Sequence, residues 1–259
     1  MSGKPKLTTT GQSVSVGDTL SKKKKDDKTL DANARFYLNK TMSKPRGALI
    51  EEILKNWRGD YIRLESHHGY IQWLFPNKDD GRNKHAQELQ LHEIETICGD
   101  RTAHARVLKA YQMMLDFYGM KLKDQRSGKI ERARNWKERF QHLNKSPHNY
   151  LRITRILKCL GELRYEHLMK PFIEFILHEA IVEHTLSNLM NSCCSYWIDL
   201  LRKDEREEVW KLFESLSEMQ ARNTSDEKHE GSRKEKKQDE SKNEQKTEQK
   251  KVSAKKKAK

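Results

Sequence analysis

The chain has 259 residues, 34% hydrophobic and 35% charged, and carries a formal net charge of +14. All its aromatic residues lie between Phe36 and Phe213, so both ends lack the groups a core needs, while the middle is long enough for one core of ordinary size. Such a composition argues against a membrane span and against a disulfide framework: the most apolar stretch, Pro171 to Met190, is broken by Glu174, His178, Glu179, Glu183 and His184, and the four cysteines (Cys98, Cys159, Cys193, Cys194) have no framework spacing and read as reduced thiols.

Residues 1–30 are polar, with seven lysines against three aspartates and no apolar stretch of the kind a signal peptide needs. They read as a disordered basic tail. Phe36, Tyr37 and Lys40 mark a short helical patch stopped by Pro45. Ala48, Leu49, Ile50, Ile53, Leu54 and Trp57 follow at helix spacing, and Gly59 ends them. Tyr61 to Phe75 reads as one or two short helices. Pro76 to Ala86, with Asn77, Asp79, Asp80, Gly81 and Asn83, reads as a loop. Leu89 to Cys98 is predicted helical from Leu91, Ile94 and Ile97.

Asp100 then caps the segment whose pattern is clearest: Val107, Ala110, Tyr111, Met114, Leu115 and Tyr118 form one apolar face, and Gly119 suits a left-handed stop. Ile130 to Leu143 is predicted as a helix with Ile130, Ala133, Trp136, Phe140 and Leu143 inside and Arg132, Arg134, Lys137 and Arg139 outside. Ser146-Pro147 signals another start. There Leu151, Ile153, Ile156, Leu157 and Leu160 point inward, Arg152, Arg155 and Lys158 outward, and Gly161 closes the helix. Pro171 to His184, Leu186 to Leu201 and Glu205 to Leu216 complete the set. Alternating patterns are scarce, so the prediction is an all-α protein: one domain of roughly eight helices over residues 31–220, with charged tails at 1–30 and 221–259.

Catalytic and metal signatures are missing. His178-Glu179 begins like a zinc-protease helix, but Val182 stands where the second histidine belongs. Cys193 and Cys194 project about 100° apart on a helix, poor geometry for one ion. No phosphate-cradling glycine loop occurs, and no cofactor is expected. The expectation is a protein that is not an enzyme. Arg132, Arg134, Lys137, Arg139, Arg152, Arg155 and Lys158 could line one positive surface, although a solvated helix face explains the same pattern. The clusters Lys22, Lys23, Lys24, Lys25 and Lys255, Lys256, Lys257 have the form that nuclear import receptors read.

Three runs are distinctive in their wording: Tyr70-Ile71-Gln72-Trp73-Leu74-Phe75-Pro76, the run from Ala110 to Gly119, and the run from Leu151 to Leu163. With Phe36-Tyr37-Leu38-Asn39, Asn83-Lys84-His85-Ala86, Arg132-Ala133-Arg134-Asn135 and His148-Asn149-Tyr150, they resemble the opioid growth factor receptor family over approximately Asn33 to Tyr196. That resemblance implies an all-α fold and an opioid pentapeptide, Met-enkephalin, as ligand. It also implies a nuclear, perinuclear and cytoplasmic location and a restraint on cell growth, with no relation to seven-helix opioid receptors. After Trp197 the sequence turns to Asp199, Lys203, Asp204 and Glu205, which resembles a receptor-like branch of the family more than its prototype. A pentapeptide with an amine, two rings and a carboxylate needs an acid, an apolar wall and a cation, and Glu65, Tyr70, Trp73 and Arg82 are the candidate set. The competing expectation is an interaction scaffold without a small ligand, touching proteins, nucleic acid or, peripherally, anionic membrane through its basic ends.

Overall fold

The computed structural model of the chain describes residues 26–79 and 83–223. Lys22, Lys23, Lys24, Lys25, Arg82, Lys255, Lys256 and Lys257 lie outside them. The helices α1 (Ala32–Tyr37), α2 (Ile50–Asn56), α3 (Tyr61–Ser66), α4 (Ile71–Leu74) and α5 (Leu91–Gly99) precede the longest of the first half, α6 (Arg101–Phe117). A two-stranded antiparallel hairpin follows, β1 (Met120–Leu122) with β2 (Ile130–Arg132), in which Lys121 faces Glu131. The second half holds α7 (Trp136–Lys145), α8 (His148–Glu162) and α9 (Met169–Ile181). Then α10 (Met190–Ser192) runs into a π turn at Cys193–Trp197, and α11 covers residues 203–223.

Helix α6 is the centre of the fold because its stripe is continuous. Val107, Ala110, Tyr111, Met114, Leu115 and Tyr118 are all buried, each large side chain contributing about 1.5–3 kcal/mol by leaving water. Asp100 Oδ1 accepts from the N–H groups of Thr102 and Ala103, at 2.9 and 2.8 Å, and so satisfies two of the four free donors at the helix start. Against α6 pack α1, α2, α5 and the hairpin, while α8, α9 and the π turn form the other half of the core. Arg106 ties these elements together, donating to Glu51 Oε1 and to the carbonyl of Tyr37. The fully buried Glu93 accepts from the N–H groups of Asn33, Ala34 and Gln90 and so holds the start of α1 against α5.

Four sequence expectations need correction. The segment predicted as helix over 130–143 begins as a strand, and its helix starts only at Trp136. Ile130 and Ala133 are inside as expected, but on a strand and a turn. Gly119, at φ +85°, turns the chain into the hairpin, and a Cβ there would stand 2.8 Å from Arg139 Cβ, so α7 packs directly on its backbone. Helix α8 does not close at Gly161; Arg164 takes the left-handed conformation instead, at φ +60°. Residues before 31, read from the sequence as tail, also make contacts with the helices. Asp26 accepts from Leu91 N–H and pairs with His92 at 3.0 Å, and Asp27 N–H donates to Gln90. At the other end α11 runs past 220 to 223. Finally, Arg139 and Arg152, expected outside, are buried, with 5% and 7% exposure.

Candidate functional site

The expected positive surface does not form. Arg139 donates to the carbonyl of Phe117 at 2.7 Å and lies over the rings of Tyr61 and Phe117. Arg132 makes two hydrogen bonds to Glu179 and one to Glu183, with its guanidinium 4.1 Å from the Trp136 ring centre. Lys158 pairs with Asp79. A helical wheel misses this because a long guanidinium can lie inward when backbone carbonyls receive it.

The four residues expected to hold a peptide are divided. Glu65 and Tyr70 come together around Arg152, but as interior structure. Arg152 donates to the carbonyls of Leu64 and Glu65, at 2.9 and 3.0 Å, and to Asn149 Oδ1. The Glu65 carboxylate meets His148 at 2.6 Å, Asn149 at 3.2 Å and His142 at 3.6 Å. Burial alone would raise its pKa; the Asn149 hydrogen bond and the electrostatic influence of His148, His142 and Arg152 outweigh that and hold it below its ordinary value. His142 is shifted down as well, by burial first and then by Arg139. Tyr70 is fully buried, and its hydroxyl donates to the Leu64 carbonyl. Trp73 is 3% exposed, packs on Phe36 and donates its indole N–H to the Lys44 carbonyl. Neither ring presents a face that a ligand could cover. Two of the four, Tyr70 and Trp73, are thus side chains of the core, and Arg82 lies outside the described residues.

What the same motif builds is a groove. One wall is α8, contributing His148, Leu151, Arg152, Thr154, Arg155 and Lys158; the other is His68, Ile71, Gln72, Asn77 and Asp79. Its volume is about 670 Å³, within the roughly 300–1,000 Å³ usual for small-ligand sites. The run from Tyr70 to Pro76 makes the wall because its large rings turn inward, which leaves Ile71 and Gln72 facing α8. Leu151 is 61% exposed, a large apolar side chain at the surface. Arg155 is half-buried, and its Nε has no hydrogen-bond acceptor. Desolvation lowers its pKa, partly offset by Cys159 and Asp79. This guanidinium was legible in the sequence only as one of many outward cations. Nothing in the periodicity separates it from Arg152.

Among the described residues no helix is long and apolar enough to cross a membrane. The cysteines are all unpaired, and burial raises the thiol pKa of Cys98 and Cys194 and, more strongly, of Cys159 and Cys193.

Residues 25–225 match the family profile described as Opioid growth factor receptor (OGFr) conserved region. The chain is 54% identical over 176 residues to the mouse Opioid growth factor receptor-like protein 1, an alignment covering 68% of this chain and 38% of that protein. It is 43% identical over 191 residues to the rat Opioid growth factor receptor, covering 72% and 33%. With the human Opioid growth factor receptor it shares 44% over 170 residues, covering 66% and 25%. The chain thus spans well under half the length of these relatives. No solved structure matches. The chain belongs to the opioid growth factor receptor family.

Proposed function

We propose that this member of the opioid growth factor receptor family is a non-catalytic binding protein for a short opioid peptide of the Met-enkephalin type. It acts in the nucleus and perinuclear cytoplasm, and peptide binding restrains cell growth. The observation that carries the reading is the groove of about 670 Å³ beside α8, where an apolar floor (Ile71, Leu151) adjoins the basic side chain of Arg155, in a family whose relatives are named as receptors. The groove replaces the set Glu65, Tyr70, Trp73 and Arg82 as the place for the ligand. Calorimetric titration of the chain with Met-enkephalin, beside a scrambled pentapeptide, tests it. A saturable heat for the first and none for the second is expected; equal or absent heats refute the reading.

Nuclear entry in this proposal rests on Lys22 to Lys25 and Lys255 to Lys257, read by import receptors. A fusion to a reporter too large for passive entry should accumulate in the nucleus and lose that accumulation when these seven lysines become alanine. Retained accumulation would assign the signal elsewhere.

A second reading has its own observation: the +14 charge is concentrated outside the middle, with a net +6 over 221–259 and +4 over 1–30. It makes the chain a scaffold that touches nucleic acid or an anionic membrane surface through its ends. Such binding should weaken steeply between low and moderate salt. Peptide binding in the groove should change little over the same range, so one salt series separates the two readings.

A further inference from the structure

The hairpin that follows α6 carries the surplus charge of the folded body. Residues 120–137 hold seven basic side chains against two acidic, a net +5, whereas residues 31–220 as a whole hold only +4. Met120 and Ile130 are buried, so strand alternation puts Lys121, Lys123, Lys129 and Glu131 on the opposite, outward face. Glu131 meets both Lys121, at 2.7 Å, and Lys123, at 3.0 Å, with one charge between them. Lys123 and Lys129 stand opposite each other, the Lys123 N–H donating to the Lys129 carbonyl at 2.7 Å. Like charges so placed are destabilising. Lys129 and Arg126, both exposed, form no salt bridge among the described residues. Asp124 is turned to the loop itself, accepting from the Ser127 hydroxyl and the N–H groups of Arg126 and Ser127.

The support beneath these cations is fixed. Gly128, at φ +72°, lies so close to Pro171 that a Cβ there would stand 2.9 Å from the proline ring, and the Gln125 carbonyl meets His167 Nε2 at 3.1 Å. None of the large exposed apolar side chains among the described residues belongs to 120–137. A tip seated in a membrane needs apolar groups to enter the acyl boundary, and a protein partner is held chiefly by apolar or aromatic anchors. A phosphate backbone requires only cations at intervals. Lysines two residues apart on a strand repeat every 6.6–6.8 Å or about that, which is of the order of the separation between successive phosphates in a nucleic-acid strand.

We propose that the outward face of this hairpin is a sequence-independent contact for the phosphate backbone of nucleic acid. Lys121, Lys123, Arg126 and Lys129 supply the cations, and Glu131 holds two of the lysines in the unbound protein. The contact is independent of the peptide groove and belongs to the folded body rather than to the charged ends.

The test uses the full chain, a short duplex DNA and a single-stranded RNA, with affinity followed by fluorescence anisotropy from low to moderate salt. The double variant Arg126→Gln, Lys129→Gln should lower the slope of log K against log salt by about 1.8 on the duplex and about 1.4 on the single strand. The control Lys55→Gln, Lys109→Gln makes the same change in net charge at exposed positions of α2 and α6 and should lower it by less than half as much. Glu131→Gln removes the opposing charge and should tighten binding about twofold or more, an effect that a misfolded variant would not produce. No DNA or RNA binding by the wild type, equal slope changes in the hairpin and control variants, or no tightening with Glu131→Gln would each overturn the proposal. So would an equal loss of binding by the hairpin variant to phosphatidylserine vesicles or to polyglutamate, which would make the face a general anion surface. DNA binding lost only when Lys22 to Lys25 and Lys255 to Lys257 become alanine would refute the hairpin contact and uphold the one through the ends.

Discussion

Arg152 and Arg155 stand three residues apart on α8 and meet opposite fates. Arg152 reaches into the interior between α3 and α8, where two carbonyls, Asn149 and Glu65 receive it. Arg155 lines the groove, and its Nε meets no acceptor. The same residue type on the same helix is thus structural cement in one place and, in the other, a side chain whose buried Nε goes without a hydrogen bond. The difference teaches that a cation's contribution to stability is set by the acceptors around it: Arg152 has oxygens in place of its water, whereas the buried Nε of Arg155 has none.

The sharpest way to break this comparison is Arg152→Met. It removes a donor from the Glu65 carbonyl and one of two side-chain donors from the Leu64 carbonyl, and takes a cation from beside Glu65, so it should cost about 3–5 kcal/mol in urea unfolding. A loss below about 1 kcal/mol would show that the buried bonds contribute no net stability. An apolar benchmark comes from α6. Met114→Asp places a charge at a fully buried position and should cost roughly 3 kcal/mol or more, while Lys109→Asp on the exposed face should stay within about 0.5 kcal/mol. Similar melting temperatures for that pair would mean the helix faces another way. Arg155→Met should change stability by less than about 1 kcal/mol and lean toward stabilising, since it removes a partly desolvated charge whose buried Nε lacks an acceptor. A large loss there would make Arg155 a second Arg152.

Acidification gives the smallest effect. His142 is held below its ordinary 6.5 and Glu65 below its ordinary 4.5, so at both sites the unfolded chain takes up protons first. Stability should fall with pH below about 6.5 through His142, and again below about 4.5 through Glu65, with both contributions fully present near neutrality. Comparing the pH dependence of the melting temperature in wild type, His142→Asn and Glu65→Gln checks this. His142→Asn should flatten the upper segment and Glu65→Gln the lower. Unchanged slopes would show that the cluster of Glu65, His142, His148 and Arg152 does not couple protonation to folding.

Much of the fold was legible because its driving patterns are local. The α6 stripe, the Asp100 cap and the Gly119 stop are all visible within one helix length, and all three are present. The hairpin was not legible, since strands of three residues are too short to show alternation, and Ile130, Ala133 and Trp136 happen to fall at helix spacing. The inward arginines were missed for a different reason. Their acceptors, the carbonyls of Phe117, Leu64 and Glu65, come from segments 22 to 88 residues away, and periodicity carries no information at that range. The candidate site suffered most. Tyr70 and Trp73 drew attention as aromatic binding groups, yet the polar and aliphatic members of the same run, Gln72 and Ile71, are the ones turned to the groove.

Helix α5 is closed in part from outside its own segment. Two of its first N–H groups, those of Leu91 and His92, are held by the carboxylate of Asp26, 65 and 66 residues earlier in the chain. From α5, Glu93 grips the N–H groups of Asn33 and Ala34 at the start of α1. Traction applied ahead of Asp26 is therefore delivered first to α5 and α1, not spread over the whole body. An unfoldase pulling from that side meets these two clasps before it reaches the α6 stripe. The order of unravelling under load is thus set by two carboxylates, with α1 and α5 yielding before the core around α6.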